Sequence, residues 1–213
     1  MDRKQFDLAL KEYTKLISLD INNFQYYFDR GEIYFEKGDF VKAIGEYNIA
    51  IERASEELGS GMRYYRAKAY IKLNKYDDAL QDLNNLIRLV ENYYKASNQN
   101  PCDVSLSLDE YYKERGDTYL KKGDFERATG DYNIIISECS EPLQSYLGYL
   151  GLGKVFLQQK NYEAALKNLN EAISEFGYDE ETYHIRAMVY EKLGNKDLAE
   201  ADFRKAKSLS ESK

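Results

Sequence analysis

An all-α solenoid of helix–turn–helix hairpins, stacked as a right-handed superhelix, is the fold this sequence predicts on three observations. An alanine stands four residues before an aromatic residue or leucine six times, at Ala9/Tyr13, Ala43/Tyr47, Ala79/Leu83, Ala128/Tyr132, Ala165/Leu169 and Ala199/Phe203. Successive alanines lie 34, 36, 49, 37 and 34 residues apart, so every interval but one matches the length of a helical hairpin. The third observation is the near absence of proline, 2 in 213 residues, which favours long helices over strands and turns. Such arrays present surfaces more than they perform chemistry.

Residues 24–57 show the grammar of one unit. Tyr27, Gly31 and Tyr34 follow a helical period, as do Phe40, Ala43, Ile44, Tyr47, Ala50 and Ile51. Between the two runs, Gly38 is suited to the left-handed conformation that ends a helix, and Asp39 to capping the next. The same pattern returns downstream. Gly31 is answered by Ala67, Gly116, Gly153 and Ala187, Tyr34 by Tyr70, Tyr119, Phe156 and Tyr190, and Gly38 by Asn74, Gly123 and Gly194. Phe40 is answered by Tyr76, Phe125 and Tyr162. Small and large residues alternate so that neighbouring helices interlock.

This combination resembles the tetratricopeptide repeat family over nearly the whole chain. The expected array is a single domain over 1–213, with full repeats at 24–57, 60–93, 109–142, 146–179 and 180–213. Residues 1–23 match a second helix without its first, with Phe6, Ala9, Tyr13 and Leu16 on the packing face. The sequence departs from the family pattern as well. Tyr27, Tyr112, Tyr149 and Tyr183 replace its tryptophan, and Arg63 breaks that position with Tyr64 beside it. Arg30, Arg66, Arg115 and Arg186 stand where leucine is usual, and Lys196 replaces an aromatic. Pentatricopeptide repeats, similar in length, bind RNA through a basic surface, whereas this chain is acidic.

Three irregularities interrupt the array. The 49-residue interval carries an insertion at about 94–108, read as a helix running on through Tyr93 and Tyr94, a break at 97–101 and a loop from Cys102 to Ser107. That loop is either a binding excursion or a tolerated one. Gly59-Ser60-Gly61 reads as a short linker between hairpins. At the N-terminus, Phe6, Leu10 and Ile17 lack one neighbour, so either a segment precedes Met1 or this face pairs with another chain. The alternatives to a binding scaffold are therefore a self-associating structural array and a regulatory module of a longer protein.

Composition narrows the function. A formal charge of −7 disfavours a nucleic-acid partner. No run is apolar enough for a transmembrane helix, and the N-terminus has no signal-peptide core, so a cytoplasmic location is the default expectation. Cys102 and Cys139 read as two thiols in a reducing compartment, with a bridge as the alternative. They lack the spacing of a zinc site, and the one histidine, His184, lacks clustered ligands, so no catalytic residue, metal or cofactor is expected. The acid pairs Asp77-Asp78, Glu56-Glu57 and Glu180-Glu181 fit helix starts, and the 21 tyrosines read as bulky filler with hydroxyls at the rim.

The resemblance implies that first helices line a concave groove for a partner peptide or helix. On that face the expected residues are Phe28, Glu32, Phe35, Tyr65, Lys68, Lys72, Lys113, Glu114, Asp117, Lys154 and His184. Family members that clamp a chaperone's terminal carboxylate use a cationic set over three repeats. Here those places hold Phe28 and Glu32, then Tyr65, then Glu110 and Glu114, or, one repeat on, Tyr64 and Lys68, Glu114, Leu147 and Gly151. Acids in such a cradle repel a carboxylate, so a chaperone tail is disfavoured and the partner is a protein or peptide of another kind.

Overall fold

Each predicted turn is made by the same hydrogen bonds. In the computed structural model, which describes residues 3–97, 108–138 and 142–211, Gly38 adopts φ +77° after the helix Phe24–Glu36. Its N–H reaches the Phe35 carbonyl at 2.9 Å, and the Asp39 N–H reaches Tyr34 at 2.9 Å, the paired closure of a Schellman motif. The Asp39 carboxylate then accepts from the Lys42 N–H at 3.3 Å, so one residue closes one helix and caps the next. Asn74, Gly123 and Gly194 repeat the left-handed turn, at φ 57°, 82° and 80°. Lys160, at φ 60°, does so without a glycine and was not legible in the sequence.

The described residues form eleven helices and no strand. They belong to two units, Met1–Ser97 and Asn98–Lys213. The first unit holds α1 (Arg3–Leu19), α2 (Phe24–Glu36), α3 (Phe40–Arg53), α4 (Glu56–Lys72) and α5 (Tyr76–Ser97). The second holds α6 (Leu108–Lys122), α7 (Phe125–Glu138), α8 (Pro142–Gln158), α9 (Tyr162–Glu175), α10 (Glu180–Lys192) and α11 (Lys196–Ser210). Within each unit, successive helices pack as antiparallel hairpins. Cys102, Cys139 and the loop Cys102 to Ser107 lie outside the described residues.

The alanine pairs are the centre of each core. Ala43, Tyr47, Ala79, Leu83, Ala128, Tyr132, Ala165 and Leu169 are all fully buried. Opposite them the small residue of the first helix lets the bulky one in. A Cβ on Gly31 would lie 2.7 Å from the Tyr47 ring, and one on Gly116 would lie 2.9 Å from the Tyr132 ring. These are closer than carbon contacts allow, so glycine there is required by packing.

Two expectations are corrected. Gly59, Ser60 and Gly61 are not a linker but part of α4, which starts at Glu56 behind the Ser55 cap. Gly59 is buried, and a Cβ there would meet the Ile51 carbonyl oxygen at 3.5 Å, an ordinary contact inside a helix. On α1, Phe6, Leu10 and Ile17 are half-buried, and Ile17 packs on the cluster of Tyr27, Ala50 and Met62. The exposed apolar residues there are Leu8, Leu16 and Leu19, although Leu16 was expected on the packing face.

The arginines that replace the family's leucine each hold a carboxylate sixteen residues later. Arg66 Nε and Nη2 donate to Asp82 at 2.7 and 2.5 Å, and Arg115 to Asp131 at 2.9 and 2.6 Å. Arg186 does the same with Asp202, at 2.7 and 2.8 Å, and Arg30 bonds Glu46 at 2.9 Å. The remaining Nη1 of three of them reaches the second helix of the preceding hairpin: Arg30 to Thr14 at 3.2 Å, Arg66 to Asn48 at 2.6 Å and Arg186 to Asn170 at 2.7 Å. The planar guanidinium thus joins three helices at once, as a point charge would not. In the α8–α9 hairpin both partners are replaced together. Leu152 stands for the arginine and Asn168 for the acid, and Asn168 turns to the Ala164 carbonyl at 2.8 Å.

Breaking one half of such a bridge leaves a carboxylate buried and unpaired. Arg186→Leu should therefore destabilise the chain by about 3 kcal/mol in urea unfolding, whereas adding Asp202→Asn should recover most of the loss. Gly116→Ala should cost about 1–3 kcal/mol through the Tyr132 clash. The control Gly130→Ala, with nothing within 4 Å, should instead raise stability by up to about 1 kcal/mol.

Candidate partner-binding faces

In the first unit, α2 and α4 bring four of the expected residues together. The Phe28 ring meets the Tyr65 ring edge-on at 5.0 Å and lies 5.7 Å from the Tyr47 ring. Tyr65 remains 36% exposed, while Phe28 is half-buried. Glu32 accepts a hydrogen bond from the Tyr47 hydroxyl. Lys68 from α4 sets its Nζ 5.4 Å from the Tyr64 ring and 5.9 Å from the Tyr65 ring. Burial pushes the Glu32 carboxyl above its ordinary pKa, against the Tyr47 hydrogen bond and the charge of Lys68. The other two residues stand apart. Phe35 is spent on Phe40, edge-on at 5.2 Å over the Ala43–Tyr47 core, and Lys72 is exposed in the last turn of α4.

The second unit arranges its first helices α6, α8 and α10 differently. Lys113 Nζ lies 2.8 Å from Asp117, which also accepts the Tyr132 hydroxyl at 2.6 Å. Lys154 on α8 reaches Glu181 on α10 at 2.8 Å. Burial works against the Asp117 carboxylate, yet Lys113, Lys154 and the Tyr132 hydroxyl together hold its pKa below the ordinary value. Glu114 is half-buried and passes its backbone carbonyl to the Thr118 hydroxyl at 2.7 Å. His184 is exposed, its ring 5.2 Å from that of Phe203. With Asp179, Glu180 and Glu181 it lines a pocket of about 430 Å³.

Sequence reasoning missed the tyrosine hydroxyls. Tyr47 and Tyr132 are fully buried, so their hydroxyls do not reach solvent at the rim as expected. Each is pushed well above its usual pKa by burial beside a carboxylate, Glu32 or Asp117. The signal was present as spacing, because the acid follows the small residue at Gly31 and again at Gly116. Among the described residues no group of three or more histidine, cysteine, aspartate or glutamate side chains is placed to hold a metal ion. No helix among them is long and apolar enough to cross a membrane.

Repeating hairpins with these cores match known families along the chain. The Tetratricopeptide repeat-like domain matches residues 109–213, and Tetratricopeptide repeat families match residues 1–57 and 62–93. This chain is a tetratricopeptide repeat protein.

Relatives of this tetratricopeptide repeat protein include the Hsp70-Hsp90 organizing protein of Triticum aestivum, 28% identical over 90% of the chain and 30% of the relative. DnaJ homolog subfamily C member 3 of Gallus gallus is 25% identical over 85% of the chain and 35% of the relative. The chain therefore spans about a third of the length of these curated relatives. Among solved structures, a tetratricopeptide repeat protein from Parabacteroides merdae superposes with TM-score 0.75 at 22% identity, covering 97% of this chain and 74% of that one. YrrB, described as having an unusual peptide-binding site, superposes with TM-score 0.56 at 13% identity over 92% of this chain and 91% of its own. At these identities the structural likeness speaks for the fold.

The Asp117 network has a pH signature. A carboxylate whose folded pKa is lowered adds stability above its unfolded pKa and loses it as pH falls through the folded value. That contribution should begin to fall below about pH 4 and be gone once the pH is under the lowered folded value. Asp117→Asn should lower stability at neutral pH by about 1–3 kcal/mol and flatten the acid limb of urea midpoints measured against pH.

Proposed function

We propose that this chain is a non-enzymatic interaction scaffold that docks a partner peptide or helix on the first-helix faces of its hairpins. The observation that carries the reading is the convergence of Phe28, Tyr65, Glu32 and Lys68 on α2 and α4. An exposed ring backed by a second ring supplies contact area, and the charges beside it set register. Membership of a repeat family whose arrays present surfaces supports the same reading.

The relatives' names point to chaperones, and chaperone tails end in a carboxylate. The cations on these faces do not suit one. Lys113 and Lys154 are held by Asp117 and Glu181, and Lys68 lies over its own helix's tyrosines beside Glu32. A chaperone partner would be engaged through another segment. The proposed location remains cytoplasmic.

The test uses peptides selected from a random displayed library on the immobilised full chain and measured by calorimetry. Phe28→Ala with Lys68→Glu should weaken their binding by about tenfold or more, with far-UV helicity unchanged. Undiminished binding would place the docking surface elsewhere.

A further inference from the structure

The charge on the α2–α4 face selects its partner, given that this face docks one. We infer that it receives a cationic segment, with a lysine or arginine side chain set beside a bulky apolar one. Asp29, Glu32 and Glu36 follow one another at steps of three and four along α2 and so share one face of it. Asp29 and Glu36 both add to the negative field at Glu32. The donors to these acids are neutral. Gln25 Nε2 gives to Asp29 at 2.7 Å, Tyr13 also bonds Asp29, and the Tyr47 hydroxyl gives to Glu32.

The nearby cations form no ion pair with these acids among the described residues, and only Lys68 acts on Glu32 through its field. Arg30, the basic residue of α2, turns to Glu46 at 2.9 Å, and Lys37 just beyond the helix binds Asp7 at 2.6 Å. Lys68 lies over Tyr64 and Tyr65, and among the described residues no ion pair joins it to Glu32, Glu36 or Asp29. The second unit is the contrast. Asp117, at the place that Glu32 holds in α2, has Lys113 within 2.8 Å, and Glu181 has Lys154 within 2.8 Å. That face neutralises itself, whereas the three α2 acids have only the field of Lys68 acting on Glu32, with no ion pair among the described residues, and hydrogen-bond donors that carry no charge.

A partner cation answers all three features. It would offset the cost of keeping the Glu32 carboxylate half out of water, and its aliphatic stem would lie on the Tyr65 ring. An anionic segment would add a further negative charge to a face with three acids and one lysine, on a chain of net charge −7 that repels it at a distance.

Two capped, fluorescein-labelled peptides decide the matter on the full chain at low salt, by fluorescence anisotropy. One alternates lysine with phenylalanine and the other alternates glutamate with phenylalanine. The lysine peptide should bind and the glutamate peptide should not. Glu36→Lys should weaken the lysine peptide about tenfold and Glu32→Gln severalfold, while Glu180→Lys in the second unit should leave it unchanged. Glu32→Gln keeps an acceptor for Tyr47, and circular dichroism checks that each variant is folded. Equal binding of both peptides, binding of neither, or weakening by Glu180→Lys in place of Glu36→Lys would overturn the inference. Preference for the glutamate peptide, lost on Tyr65→Ala, would leave the docking face in place and remove only its charge preference. Indifference of every bound peptide to Phe28→Ala and Tyr65→Ala would remove the face itself.

Discussion

A guanidinium clasped by a carboxylate sixteen residues away is the interaction on which the rest of this molecule is oriented. A buried charge without its partner is a large penalty, so wherever the arginine occurs the first helix is held at one rotation against the second. Two residues on from the arginines come Glu32, Lys68, Asp117 and Met188, and two on from Leu152, which stands in the arginine's place, comes Lys154. Two residues is more than half a helical turn, so a side chain locked toward the neighbouring helix turns these five away from it. The bridge that builds the hairpin thereby decides which residues that face presents.

The same bridge explains why the chain tolerates arginine at a leucine position. At Leu152 and Asn168 the charged pair gives way to an uncharged one in a single step, with both members changed. Either arrangement leaves no buried carboxylate without a partner, although the Nε of Arg30 is buried without a hydrogen bond. A mixture of the two leaves a charge unpaired.

The two units put one scaffold to different electrostatic use. In the second, Lys113, Asp117, Lys154 and Glu181 satisfy one another across three helices. In the first, the corresponding carboxylate rests on a tyrosine hydroxyl, and the rings of Phe28 and Tyr65 stand where α6 and α8 place Lys113 and Gly151. Binding energy is available where charge and rings are left incompletely satisfied, and that condition separates the α2–α4 face from the α6–α8–α10 face.

Much of the fold was legible because its signals are local. The alanine pairs, the glycines after the first helices and the length of α5 past Tyr94 could be read from spacing alone. Gly59-Ser60-Gly61 misled for the same reason: the glycines look like a break, whereas the helix starts before them behind the Ser55 cap and runs through. Phe28, Glu32, Tyr65 and Lys68 were nameable as one face, but nothing local told Phe28 from Phe35 or Lys68 from Lys72. By itself the sequence determined the helices, their turns and the register of the hairpins, since those follow from neighbours within one or two helical turns. Only the tertiary structure decided which arginine holds which acid and which face keeps its charge, because antiparallel folding brings together residues sixteen apart that share no local contact.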